Sequence, residues 1–306
     1  TRTFQRLSRF SHLSAIASWD MFTMMPSGGS KARGEALAEL SVLEHQLLTD
    51  PKVATWIAAA QQEDLNDVEQ ANLREMSRLH HQASLLPESL VEAKSLAGSR
   101  CEHAWRSQRP ANDWEGFSEN LKEVVKHSRE EARLRAEATG CSPYDALLDI
   151  FEPGMTSAQL DVLFADVKSW LPDLLNKVVA KQSQQSLIAP VGPFPTAIQR
   201  ELGLETMAQL GFDFTAGRLD ISAHPFCGGV PEDVRITTRY DENELLSALF
   251  GVIHETGHAR YEQNLPHSWS GQPIALARST AIHESQSLFF EMQLGRSKAF
   301  LTRLIP

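Results

Sequence analysis

Apolar residues recur at helical spacing through most of this chain. Over 3–20 they fall at Leu7, Phe10, Leu13 and Ala17. Pro26, Ser27, Gly28 and Gly29 break that pattern, and 31–48 resumes it with Ala36, Leu37, Leu40, Leu43 and Leu47. Further helices are predicted near 51–62, 66–84, 88–108 and 113–138. Gly140 can end the last of these, and Pro143 opens the next segment. Thr156 suits the N-cap of a helix over 157–181. The stretch 182–195 is polar and then Pro-rich, which reads as a loop crossing between subdomains.

A different period appears only later. Residues 217–224 alternate polar and apolar, and 233–240 holds Val234, Ile236, Thr237, Thr238 and Tyr240, which favour strands. Gly228, Gly229 and Pro231 between them suit a turn, so a small β-hairpin is predicted over 217–240. An apolar run, 245–253, follows and leads into a further helix. The fold expected is therefore mostly α, with a small β-hairpin or sheet beside that helix. Residues 1–150 are expected to form an N-terminal helical subdomain, and 151–306 a second one.

Composition narrows the function classes. The chain has 306 residues, 42% hydrophobic and 22% charged, ordinary for a globular protein. A net charge of −10 argues against a nucleic-acid partner, because phosphate binding needs clustered Lys and Arg. The basic residues Lys122, Lys126, Arg129, Arg133 and Arg135 alternate with Glu123, Glu130, Glu131 and Glu137, which reads as an ion-paired helix surface. The cysteines, Cys101, Cys141 and Cys227, are odd in number and far apart, which argues against a disulfide framework and a Cys-type zinc site. No apolar run approaches the length of a membrane span, and no secretory signal precedes the first helix. A cytoplasmic location is the expectation.

The chemistry concentrates in His254-Glu255-Thr256-Gly257-His258. On a helix, positions i and i+4 lie within roughly 40° of each other, one turn apart. Both imidazoles can thus reach one ion, while Glu255 can address a water beside it. That is the arrangement metal-assisted hydrolysis needs. Gly257 costs roughly 1 kcal/mol relative to Ala inside a helix, so a packing or access reason is expected. A third ligand is required. After a turn-rich connection, 278–291 reads as a second helix, predicted to pack antiparallel beside the first. Glu284, 26 residues past His258, can face the His pair across that interface. Glu262 would have to bend back, Glu291 lies two turns further on, and His283 points about 100° away. Glu284 is favoured, with His283 and Glu291 as groups that orient the ligands.

Several separated strings resemble one family. Phe250 to Ala259 with Tyr261-Glu262-Gln263 looks like the active-site helix of the thermostable carboxypeptidases (carboxypeptidase Taq type, peptidase family M32). His224-Pro225-Phe226 matches that family's H-P-F element. Asp233 to Tyr240 matches D-x-R-x-T-T-R-Y, and His283-Glu284-Ser285-Gln286-Ser287 matches H-E-S-x-S, whose Glu is the third zinc ligand. Tyr144 to Asp149, Phe151 to Gly154, Trp19-Asp20 and Met25-Pro26 are similar as well. The resemblance implies a large helical zincin-type peptidase fold with a deep cleft, often a homodimer. It also implies a metallocarboxypeptidase that removes C-terminal residues from peptides with broad tolerance. The family's later I-R-x-x-A-D and G-x-x-Q-D-x-x-W elements do not occur, so a fragment is expected, lacking the Arg thought to hold the substrate's terminal carboxylate.

Roles follow as expectations. His254, His258 and Glu284 hold Zn²⁺, or Co²⁺ or another divalent ion. Glu255 is the general base. His224, Arg239 and Tyr240 are candidates for oxyanion or substrate contact. The alternatives are a zinc oligopeptidase or endopeptidase, and a metal-binding fragment without turnover.

Overall fold

The computed structural model describes residues 1–186 and 190–304. The helices among them are α1 (Arg2–Thr23), α2 (Ser30–Thr49), α3 (Pro51–Ala60), α4 (Asp67–Ser84), α5 (Glu88–Gln108), α6 (Trp114–Thr139), α7 (Pro143–Phe151), α8 (Ser157–Gln182), α9 (Thr196–Gln209), α10 (Leu245–Gln263), α11 (Thr280–Leu288) and α12 (Lys298–Leu304). A π-helical segment, Phe289–Gly295, continues α11. The chain is thus mostly α with a small sheet, as its periodicity predicts. No helix among the described residues is long and apolar enough to cross a membrane.

Local signals set many of the boundaries. Asn66 and Glu69 form a reciprocal capping box at the start of α4, and Thr156 and Gln159 form another at α8. Gly140 adopts φ +73° and closes α6, its N–H donating to Ala136 O. The predicted loop 182–195 is non-regular at 183–186 and 190–195, and its residues 187–189 lie outside the described residues. Helix α9 was not predicted. Its buried positions are Gln199, Gly203, Thr206 and Met207, of which only the last is a large apolar residue.

The hairpin expectation needs correction. The strands are β1 (Gly217–Ile221), β2 (Cys227–Val230) and β3 (Asp233–Thr238), ordered β1-β3-β2. The two predicted stretches do pair, but in parallel, with Gly217 opposite Val234 and Ile221 opposite Thr238. The antiparallel partner of β3 is the short β2, inside what read as the turn. The chain leaves β1, passes through His224-Pro225-Phe226 and returns as β2, so β3 is central.

The ion-paired surface predicted on α6 also divides. Arg133–Glu137 is solvent-exposed, whereas Glu131 and Arg135 are buried and bonded to each other. Lys94 of α5 completes that buried cluster. Burial pushes the Glu131 carboxyl up, but Lys94 and Arg135 more than offset this and hold it below its ordinary value.

The core beneath the candidate site joins α9, the sheet and α10. Met207, Phe212, Leu219, Val234, Ile236, Val252 and Ala259 form one buried cluster. α10 is buried around most of its circumference, at Ala248, Leu249, Val252, Ile253, Glu255, Thr256, Gly257, Ala259 and Gln263. Glu244 caps it, accepting from Leu246 N and Ser247 N. Polar bridges tie the chain's first half to this region. Trp19 Nε1 donates to Asp220 at 2.9 Å, and Asn72 meets Gln272 and Ile274 N.

Candidate metal centre

α10 and α11 run antiparallel. Ile253 packs on Gly295, Gly257 on Ser287, and Glu262 on His283. A Cβ at Gly257 would lie 2.6 Å from Ser287 Cα and 2.8 Å from Gln286 O. Only glycine lets the two backbones approach this closely, which accounts for a helix-weakening residue between the two histidines.

That approach brings three donors together. His258 Nε2 lies 3.2 Å from Glu284 Oε2, and His254 Nε2 lies 3.8 Å from the same oxygen. All three ligand atoms fall within 4.8 Å of one another. Ligands bonded at about 2.0 Å to one tetrahedral ion sit roughly 3.3 Å apart, so the set fits a divalent cation. The competing groups take other positions. Glu291 Oε2 is 3.0 Å from His254 Nδ1, and Glu262 Oε1 is 2.8 Å from His283 Nε2.

These outer contacts assign the tautomers. Ionised Glu291 accepts from His254 Nδ1–H, leaving a lone pair on His254 Nε2. Burial pushes the Glu291 carboxyl up, but Arg296 and His254 hold it below its usual value, and Arg296 donates to it at 2.6 Å. On the other side Glu262 accepts from His283 Nε2–H. His283 Nδ1, 2.6 Å from His258 Nδ1, then accepts from it. His258 Nε2 is left bare and faces Glu284. Burial lowers the His258 pKa to about 4, with His283 and His254 adding to the effect. His258 is therefore neutral near pH 7, as a metal ligand must be.

Glu255 is buried beside this set. Burial lifts its pKa to about 7; Glu284 adds to the rise, while His254 and His224 oppose it. Glu255, His258, His283 and Glu284 line a cleft of about 500 Å³. His224 lies on the H-P-F loop. It is exposed, its Nδ1 sits 2.8 Å from Pro225 O, and it faces an adjoining apolar cavity that shares Phe226 with the cleft. Arg239 is exposed and Tyr240 half-buried, and among the described residues neither lines the cleft. The Tyr240 hydroxyl is buried without a hydrogen-bond partner among the described residues.

Sequence reasoning missed other residues here. Thr237, fully buried, pins the H-P-F loop: Phe226 N donates to its Oγ1 at 3.0 Å, and its own N–H donates to Phe226 O at 2.9 Å. Glu152 holds the start of α11, accepting from Ser279 Oγ and from Ala281 N at 2.9 Å. Its place in the Phe151-Glu152-Pro153-Gly154 string was the only signal. Arg78 and Arg278 also line the cleft, 200 residues apart in sequence, with no shared motif to link them.

A helical fold with an H-E-x-x-H helix and a carboxylate from its antiparallel neighbour defines a metallopeptidase-type centre. A model of the carboxypeptidase Taq (M32) metallopeptidase family matches residues 1–306, and the chain belongs to that family. It is 39% identical to thermostable carboxypeptidase 1 of Thermus thermophilus, over 99% of this chain and 62% of that relative. Against carboxypeptidase 1 of Bacillus subtilis the identity is 35%, over 97% of this chain and 60% of the relative. Metallocarboxypeptidase 1 of Trypanosoma cruzi superposes with a TM-score of 0.88 at 48% identity, covering 99% of this chain and 62% of the other. A crystal structure of BsuCP superposes with a TM-score of 0.92 at 33% identity, again over 99% and 62%. The chain therefore spans about three-fifths of the length of these relatives.

Proposed function

We propose that this chain carries the catalytic centre of a zinc-dependent metallocarboxypeptidase. The observation that carries the reading is the meeting of His254 Nε2, His258 Nε2 and one Glu284 oxygen, with Glu255 buried beside them. Each outer nitrogen is already committed to Glu291 or His283, so both lone pairs point at one place. A divalent ion held by these residues would supply Lewis-acid polarisation of the scissile carbonyl and would acidify the attacking water. Zinc suits two imidazoles and a carboxylate, and cobalt or another divalent ion fits the same donors.

The chain's own residues do the rest. Glu255, with a proton affinity near neutrality, takes the proton from the attacking water and delivers it to the leaving amine. Glu291 and His283 fix the tautomers and orientations of the two imidazoles. His224, on the loop that Thr237 anchors, is the candidate for substrate contact from that side. Peptides are the substrates, with broad side-chain tolerance and a homodimer as the family resemblance implies.

Glu255→Gln should retain one equivalent of metal and lose at least about a thousandfold in kcat. Glu284→Ala should lose metal by elemental analysis. Turnover surviving in Glu255→Gln would overturn the base assignment. An endopeptidase is separated by substrate: a carboxypeptidase releases single residues from a free-acid peptide and leaves its C-terminal amide intact.

A further inference from the structure

The cleft holds a second polar feature that the proposed hydrolysis does not use. Arg78 comes from α4, and Arg278 directly precedes Ser279, the N-cap of α11. Both line the cleft that Glu255, His258 and Glu284 line. One carboxylate serves both guanidinium groups: Glu75 Oε2 accepts from Arg78 Nε at 2.8 Å, and Oε1 accepts from Arg278 Nε at 2.7 Å. Two cations on one anion leave one positive charge over.

Glu152 accepts from Ser279 Oγ and Ala281 N at the start of α11 and, among the described residues, does not bond Arg278. Arg78 also reaches Gln82 at 3.3 Å, but the terminal nitrogens of Arg278 have no partner among the described residues. Its side chain is 51% exposed. Because Glu75 engages Nε, the outer edge of the Arg278 guanidinium stays available. That two-nitrogen fork matches a carboxylate.

We infer that Arg278, backed by Glu75 and Arg78, is an anion subsite for a side-chain carboxylate of the peptide substrate. This rests on the peptidase reading above and adds a preference to it: peptides with Asp or Glu near the scissile bond are taken over their neutral counterparts. Arg278 acts by binding, so its contribution falls mainly in KM.

The test uses the metal-loaded full chain and N-blocked alanine tetrapeptides carrying one Glu or one Gln at each of the last three positions. At one position the Glu peptide should exceed the Gln peptide by roughly fivefold in kcat/KM, the scale of a half-exposed ion pair. Arg278→Gln should abolish that ratio and leave the Gln peptides within twofold of wild type. Arg278→Lys should keep part of it, and 0.5 M salt should shrink it in the wild type. A ratio unchanged by Arg278→Gln at every position overturns the subsite. Equal weakening of Glu and Gln peptides also overturns it, since that reports a general structural role or capture of the terminal carboxylate. If wild type cleaves none of the peptides, the peptidase reading is what fails. Calorimetric binding of the same peptides to metal-loaded Glu255→Gln then decides the subsite: tighter Glu than Gln binding, lost with Arg278→Gln, supports it, and equal affinities overturn it.

Discussion

Helices α8 and α10 are both long, 26 and 19 residues, and they hold their form by opposite means. α8 opens on a reciprocal capping box, tolerates Pro172 in its interior and buries none of its residues. Its apolar side chains, Val162, Trp170 and Leu175 among them, face solvent. α10 sits between the sheet, α9 and α11, and nine of its residues are buried. The difference shows that forming a helix and placing one are separate problems. Local signals such as the Thr156 capping box mark the first. Only packing on several sides can hold two imidazoles and a carboxylate to the tolerance a metal demands.

The sharpest way to break this contrast is Gly257→Ala. Propensity alone would favour alanine by roughly 1 kcal/mol. The new methyl group would meet the backbone of Ser287 and Gln286, which cannot swing aside. We expect a net loss of about 3 kcal/mol or more in denaturant unfolding, with weakened metal binding because α11 carries Glu284. A stabilised variant would show that the α10–α11 contact is not tight. Truncating the wholly buried Ile253 to alanine should cost about 3 kcal/mol, whereas Leu175→Ala on α8, 57% exposed, should stay within about 0.5 kcal/mol. Equal losses would contradict the distinction between the two helices.

Charge on α6 extends the comparison. Glu131 is buried against Lys94 and Arg135, while Arg133–Glu137 on the same helix is open to solvent. The folded-state pKa of Glu131 is depressed, so its stabilisation is present above the ordinary value of 4.5 and lost as pH falls through the lower folded value. Glu131→Gln should therefore cost about 3 kcal/mol near pH 7, a cost that shrinks as the pH falls from 4.5 through the lower folded value. A cost that persists into acid would assign the effect to packing.

How much of this was legible in the sequence depended on how each feature encodes itself. Helices with local punctuation, such as α6 with Gly140 and α8 with Thr156, fall close to their predicted bounds. The His pair is readable because its spacing is a property of one helix. Glu284 required only one further step, a short connection between neighbouring helices. The parallel pairing of β1 with β3 was not readable, because β2 and the H-P-F loop occupy the intervening residues that look like a turn. α9 escaped notice since Gln199, Gly203 and Thr206 supply most of its buried face, so no apolar period marks it. The Arg78–Glu75–Arg278 arrangement joins distant segments, and nothing local announces it.

The central claim is that His254, His258 and Glu284 converge on one cation. Anomalous diffraction at the zinc absorption edge, from zinc-loaded crystals, tests it most directly. The account predicts a single strong peak at about 2.0–2.2 Å from His254 Nε2, His258 Nε2 and a Glu284 oxygen. A peak elsewhere, or a Glu284 side chain turned away from the two imidazoles in the loaded protein, would contradict it.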